Sequence, residues 1–170
     1  MNFPVHYPVF FTATISEWKH LLAENKFKDI FTNSLAFLVK ENKVSVYGFV
    51  IMSNHIHIIW RVMNDFNPVV IQHSFMKYTA QMMIKDLRNN NPELLQQFFV
   101  NAKDRKYQIW ERNSLSIEIH SNDVLLQKLN YLHNNPVKAG LCLMPEEYHY
   151  SSASLYSDNK IKWDFLERWK

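Results

Sequence analysis

Val44 to Met52 is an almost unbroken apolar run, and after a two-residue polar break at Ser53-Asn54 a second run, His55 to Val62, follows at once. Continuous apolar runs of this length, rich in β-branched and aromatic residues, mark strands buried on both faces. Two such runs at hairpin distance have to pair antiparallel, side by side. This pair of strands constrains the fold more than any other segment, because whatever else the chain builds must cover the faces of that hairpin.

The second run is not uniform. Side chains alternate faces along a strand, so His55, His57, Ile59 and Arg61 share one face, while Ile56, Ile58, Trp60 and Val62 share the other. The second set is a core face. The first, with two imidazoles one residue apart, can hold a metal, although a His-x-His pair in a strand is more often a pair of satisfied or surface histidines.

The flanking segments supply further elements. A strand is expected over Val9 to Ile15, then a short helix around Trp18 to Glu24 capped by Ser16. Phe31, Leu35 and Leu38 or Val39 give helical spacing up to about Glu41. Pro68 opens a helix to about Leu87, with Phe75, Tyr78 and Met82 at core spacing and Lys77, Gln81 and Lys85 on the other ridge, a pattern typical of a solvated face. Leu115, Ile117 and Ile119 alternate with polar residues as a fourth strand, and Ser121 or Asn122 caps a last helix to about Asn134. With right-handed crossovers, this order predicts an α+β fold: a ferredoxin-like or RRM-like antiparallel sheet with helices on one face. An additional C-terminal helix, the one that carries Tyr131, is left for the histidine face. No repeat, linker or low-complexity tract divides residues 1–170, so one domain is expected.

Several function classes are disfavoured. Only Gly48 and Gly140 are present, and neither lies in a run of small residues, so a phosphate-cradling loop for a nucleotide triphosphate or dinucleotide is not expected. The lone Cys142 excludes an internal disulfide framework and suits a cytoplasmic protein. Residues 1–7 lack a basic region followed by a long apolar run, and no later segment is apolar enough to span a bilayer. A formal charge of +3 permits an acidic partner such as nucleic acid without demanding one.

The last helix holds a second constellation. On a wheel of about 100° per residue, Leu125, Leu129 and Leu132 form the packed stripe, while Gln127, Lys128, Tyr131 and Asn135 fall on the far side. A tyrosine on the polar ridge is either an ordinary exposed ring or a working one. Asn135 lies one turn on and faces the same way, although Pro136 disfavours helical geometry at Asn135.

Three blocks then resemble a known family. They are His55-Ile56-His57 within an apolar strand, the run from Tyr131-Leu132-His133-Asn134-Asn135-Pro136 to Leu141, and Tyr148-His149-Tyr150-Ser151-Ser152. In this order and spacing they are similar to the REP-associated tyrosine transposases, relatives of the small single-strand insertion-sequence transposases within the HUH nucleases. The resemblance implies a ferredoxin-like palm, a divalent metal on His55 and His57, Tyr131 as nucleophile and Asn135 as third ligand. Related transposases place Gln where this chain has the shorter Asn135. Without that resemblance, Asn134-Asn135-Pro136 reads as a helix stop, and the last block as packing for the C-terminal segment.

The chemistry so implied is metal-dependent cleavage and transfer of single-stranded DNA, hairpin-forming or repeat-associated, by a monomer or homodimer. A divalent ion on neutral imidazoles polarises a phosphoryl oxygen, and Mg²⁺ or Mn²⁺ is favoured over zinc. A tyrosine titrates at about 10 in model peptides, so it needs activation before it can form a 5′-phosphotyrosine. The stored ester then joins a second end without a nucleotide cofactor. Lys77, Arg105, Arg112 and Lys138 are candidates for neutralising phosphates, and Trp110 for stacking on a base, if it is not core. The competing readings are a non-catalytic nucleic-acid-binding descendant of such a transposase and a His-metal hydrolase.

Overall fold

The computed structural model describes residues 6–170; the leaderless reading of the N-terminus falls largely on residues 1–5, outside that range. Strands β1 (Val9–Thr14), β2 (Val44–Ile51), β3 (His55–Val62) and β4 (Leu115–Glu118) form one sheet in the order β2-β3-β1-β4. Every pairing is antiparallel. The helices are α1 (Asn25–Lys40), α2 (Pro68–Asn90), the short α3 (Pro92–Gln96), α4 (Asn122–Lys138) and the short α5 (Ala153–Ser157). The arrangement is α+β and ferredoxin-like, as the element order predicts.

The alternation in β3 divides the interior as expected. Ile56, Ile58, Trp60 and Val62 pack with Phe31 and Leu35 of α1 and with Ile71 and Phe75 of α2. On the other side Ile59 joins Phe10, Tyr47, Val50 and Met52 beneath Leu125, Leu129 and Leu132 of α4. The extra helix therefore covers the histidine face. Burial of both faces explains why β2 and β3 read as nearly continuous apolar runs.

A bulge sets how close α4 comes. The β2–β3 register slips between Val46 and Gly48, which places Tyr47 out of step. Before the slip Val44 and Val46 face α1 and α2; after it Phe49 and Ile51 do, so parity switches along the strand. Gly48 then meets α4, and a Cβ there would stand 2.5 Å from Leu129 Cδ2. Only a residue without a side chain allows that approach.

Three local expectations change. The short helix after β1 is instead two 3₁₀ turns, Ser16–Trp18 and Leu21–Ala23, and Ser16 makes no side-chain cap. The buried stripe of α2 is Ile71, Phe75, Thr79, Met83 and Leu87, so Tyr78, at 52% exposure, faces solvent. Helix α4 runs through Pro136 to Lys138 rather than stopping near Asn134. Pro136 removes one intrahelical donor, but the ring is buried and the ladder resumes with Ala139 N–H donating to Asn135 O at 3.0 Å.

Candidate active site

The face of β3 under α4 ends in His55 and His57, and β1 supplies their cross-strand neighbours. Thr14 stands opposite His55 and Thr12 opposite His57. The two imidazole centroids are 4.9 Å apart. His57 is 5% exposed and stacks at 5.2 Å on Phe10. Each ring has one nitrogen engaged: His57 Nδ1 lies 2.7 Å from Thr12 Oγ1, and His55 Nδ1 lies 2.7 Å from Asn54 Oδ1. Since a carbonyl oxygen only accepts, the neutral His55 carries its proton on Nδ1, which leaves the lone pair on Nε2. The Asn135 side chain stands at hydrogen-bonding range of the His55 ring, whose Nδ1 is already taken by Asn54, whereas among the described residues only Nδ1 of His57 has a partner.

Both rings are held neutral. Burial pushes His57 down to about 3, with the nearby His55 and Lys128 charges acting in the same direction. Burial also lowers His55, and the Asn135 side chain beside it partly opposes that effect. Neutral imidazoles with lone pairs are the form that binds a cation.

Helix α4 brings in the remaining groups. Tyr131 is 48% exposed, its ring centroid 5.5 Å from that of His57 and 6.0 Å from that of Phe10. Lys138 Nζ lies 5.7 Å over the Tyr131 ring, and Lys128 Nζ lies 5.0 Å over Phe10. The continuation of α4 through Pro136 keeps Asn135 one turn from Tyr131, next to His55. His55, His57, Tyr131, Asn135 and Lys138 thus occupy one place. Among the described residues no three His, Cys, Asp or Glu side chains cluster to hold a metal; the groups on this face that could hold one are the two imidazoles and the Asn135 amide.

The other nucleic-acid candidates lie elsewhere. Lys77, Arg105, Trp110 and Arg112 line a cleft of about 790 Å³ between α2 and the segment before β4, and that lining includes neither histidine nor Tyr131. Arg105 pairs with Asp104 at 2.6 Å. Trp110 is 8% exposed and packs edge-on against Phe31, so its ring belongs to the core and is not an open stacking face. Its indole N–H is buried without a partner.

Thr12, Asn54 and Lys128 carry no motif of their own, and cross-strand register is the signal that would have found Thr12. Trp18 is also at the site, its ring centroid 6.3 Å from that of His55. Both Glu17 and Trp18 have φ of 55°, a left-handed conformation that costs roughly 1–2 kcal/mol for a residue with a β-carbon.

No family model matches the chain, and no curated protein matches it. Among solved structures it is similar to a REP-associated tyrosine transposase bound to a REP hairpin, with a TM-score of 0.66 and 13% sequence identity, covering 100% of this chain and 96% of that one. It is also similar to a protein of Deinococcus radiodurans R1 described as a candidate transposase, with a TM-score of 0.54 and 12% identity, covering 79% of this chain and 94% of that one. At such identities the likeness concerns architecture, and it spans the palm together with the tyrosine-bearing helix. The chain has the fold of a tyrosine transposase.

Proposed function

We propose that the protein is a DNA strand transferase in which Tyr131 attacks a phosphodiester of an unpaired strand, beside a divalent cation held by His55, His57 and Asn135. One observation carries this reading: a half-exposed tyrosine on α4 comes within 5.5 Å, ring to ring, of a neutral histidine pair on β3. Mn²⁺ accepts imidazole better than oxygen-preferring Mg²⁺, which would bind weakly until substrate phosphate adds its oxygens; two imidazoles and one amide oxygen leave coordination positions for that phosphate. When bound, such a cation polarises a phosphoryl oxygen and offsets the charge that builds there.

The chain's own groups do the rest. Asn54 and Thr12 engage Nδ1 of the two rings, whose centroids are 4.9 Å apart, which leaves each Nε2 as the nitrogen that would meet a cation. Phe10 and α4 keep the inner side of His57 dry. Lys128 and Lys138 place positive charge beside Tyr131, where an arriving phosphate needs it. The Tyr131 oxygen bonds to phosphorus as the bond from phosphorus to the 3′ oxygen breaks. The phenolic proton leaves toward solvent, and the departing 3′ oxygen takes up a proton to become a hydroxyl. Attack by another 3′-hydroxyl on the phosphotyrosine reverses the sequence and restores the phenol. Single-stranded DNA that forms a hairpin is the proposed substrate, a reading supported by the hairpin named for the first structural neighbour.

A labelled hairpin oligonucleotide incubated with Mn²⁺ and run on a denaturing gel tests the proposal. A retarded, protease-sensitive band is expected, absent in Tyr131→Phe and in His57→Ala. Hairpin binding with no such band under any divalent ion would make the protein a non-catalytic binder instead.

A further inference from the structure

The turn after β1 presents a tryptophan in a way that packing does not explain. Of the five tryptophans, Trp60 and Trp110 are buried, while Trp163 and Trp169 are half-buried with their indole N–H groups donating to His149 O and Asn122 Oδ1. Trp18 is 62% exposed. It sits in the second of two successive left-handed residues, a conformation rarely adopted by a bulky side chain. The backbone around it is fixed nonetheless. Ser16 N–H donates to Ile109 O at 2.7 Å, Trp18 N–H to Ile15 O at 2.9 Å and Leu22 N–H to Ser53 O at 2.8 Å. Glu17 N–H donates to the Glu111 carboxylate. Strain retained by surrounding contacts, with a large apolar ring turned toward solvent as its result, points to use outside the fold.

The place of the ring says what that use is. Its centroid lies 6.3 Å from His55, at the rim of the cluster formed by His55, His57, Tyr131 and Asn135. On the proposed reading a phosphate of an unpaired strand occupies that cluster, with Lys128 and Lys138 close by. The nucleotide attached to it carries a flat aromatic base, free to stack because the strand is not paired. We propose that Trp18 is the stacking platform for an unpaired nucleobase next to the phosphate at Tyr131. Every base has a π-face, so this contact supplies affinity and positioning without reading sequence. Trp110, the stacking candidate by sequence, cannot serve because its ring is buried. The inference rests on the strand-transfer reading only for the location of the phosphate.

The test is equilibrium binding, by fluorescence anisotropy, of a labelled oligothymidylate of about twenty nucleotides and of an abasic strand of equal length, with chelator present so that no metal or chemistry enters. Trp18→Ala should weaken oligothymidylate binding about 5- to 150-fold while leaving the abasic strand unchanged, and Trp18→Phe should restore most of the loss. Unchanged oligothymidylate affinity in Trp18→Ala, or an equal loss with both strands, overturns the proposal. A purely structural role is tested with Trp18→Gly, which relieves the left-handed strain: its urea midpoint should not fall, and a clear fall counts against the platform. If the covalent adduct forms but base-dependent binding is untouched in Trp18→Ala, the platform fails alone. If Trp18→Ala loses base-dependent binding but wild type never forms the adduct, strand transfer fails and the platform stands.

Discussion

Gly48→Ala is the sharpest test of how α4 is seated. The backbone at Gly48 is not left-handed, so alanine can adopt it, and replacing glycine within a strand favours stability by up to roughly 0.5–1 kcal/mol. Space acts the other way. The new methyl would stand 2.5 Å from Leu129 Cδ2, 3.4 Å from Ser152 Oγ and 3.7 Å from Leu132 Cδ2. Carbon atoms rest at about 3.5–4.0 Å, so Leu129 must retreat by about 1 Å. At 3% exposure, beside Leu125 and Leu132, it has little room to do so. Overpacking of this kind costs about 1–3 kcal/mol, so after the offset the net loss lies between about zero and about 2.5 kcal/mol, centred on about 1 kcal/mol. Urea unfolding followed by circular dichroism measures it. Leu129→Ala alone should cost about 2–5 kcal/mol, and in the double variant the added methyl at position 48 enters the space left by the leucine. The pair should therefore lose less than the sum of the single losses by about 1 kcal/mol or more. Gly48→Ala more stable than wild type, or strictly additive losses in the double variant, would refute the account of a glycine kept for close approach. Because Tyr131 follows Leu129 on α4, adduct yield in Gly48→Ala reports whether the side chain or the whole helix gave way.

Three further outcomes are expected. Tyr131→Phe should change unfolding free energy by no more than about 0.5 kcal/mol, since the residue is exposed and its hydroxyl has no partner among the described residues, while abolishing the adduct. Thr12→Val should weaken Mn²⁺ binding about 10- to 100-fold by calorimetry, with Thr12→Ser close to wild type, because the hydroxyl 2.7 Å from His57 Nδ1 orients that ring. Burial holds His133 at about 4, against an ordinary 6.5, with Nε2 2.8 Å from Ser152 Oγ. Above pH 6.5 the ring is neutral folded or unfolded; as pH falls from about 6.5 to about 4 only the unfolded chain takes the proton, so about 3 kcal/mol of stability is lost across that window. Urea midpoints from about pH 7 down to about pH 4 should fall less steeply in His133→Gln, and parallel curves would contradict this account.

Legibility in the sequence followed the range of the interactions concerned. The faces of β3 came out residue by residue because a strand repeats every second position, a purely local rule, and Ile56, Ile58, Trp60 and Val62 are where it puts them. The four strands and their antiparallel sheet followed from segment order and crossover handedness. The α2 stripe was misplaced because two interleaved apolar ridges exist on that helix, and only packing against α1 and the sheet selects Ile71, Phe75, Thr79, Met83 and Leu87. The turn at Trp18 escaped because its backbone is dictated by partners distant in sequence, Ile109 and Glu111.

The amino-acid order alone settled which side chains could share a face: the two histidines of β3, and Tyr131 with Asn135 one turn apart on an amphipathic helix. Whether those two faces meet was a matter for the tertiary structure, through the bulge at Gly48 that lowers α4 onto β2 and the burial that carries the helix past Pro136. Periodicity is written in neighbouring residues, whereas the distance between a helix and a sheet is the sum of contacts made by side chains far apart along the chain.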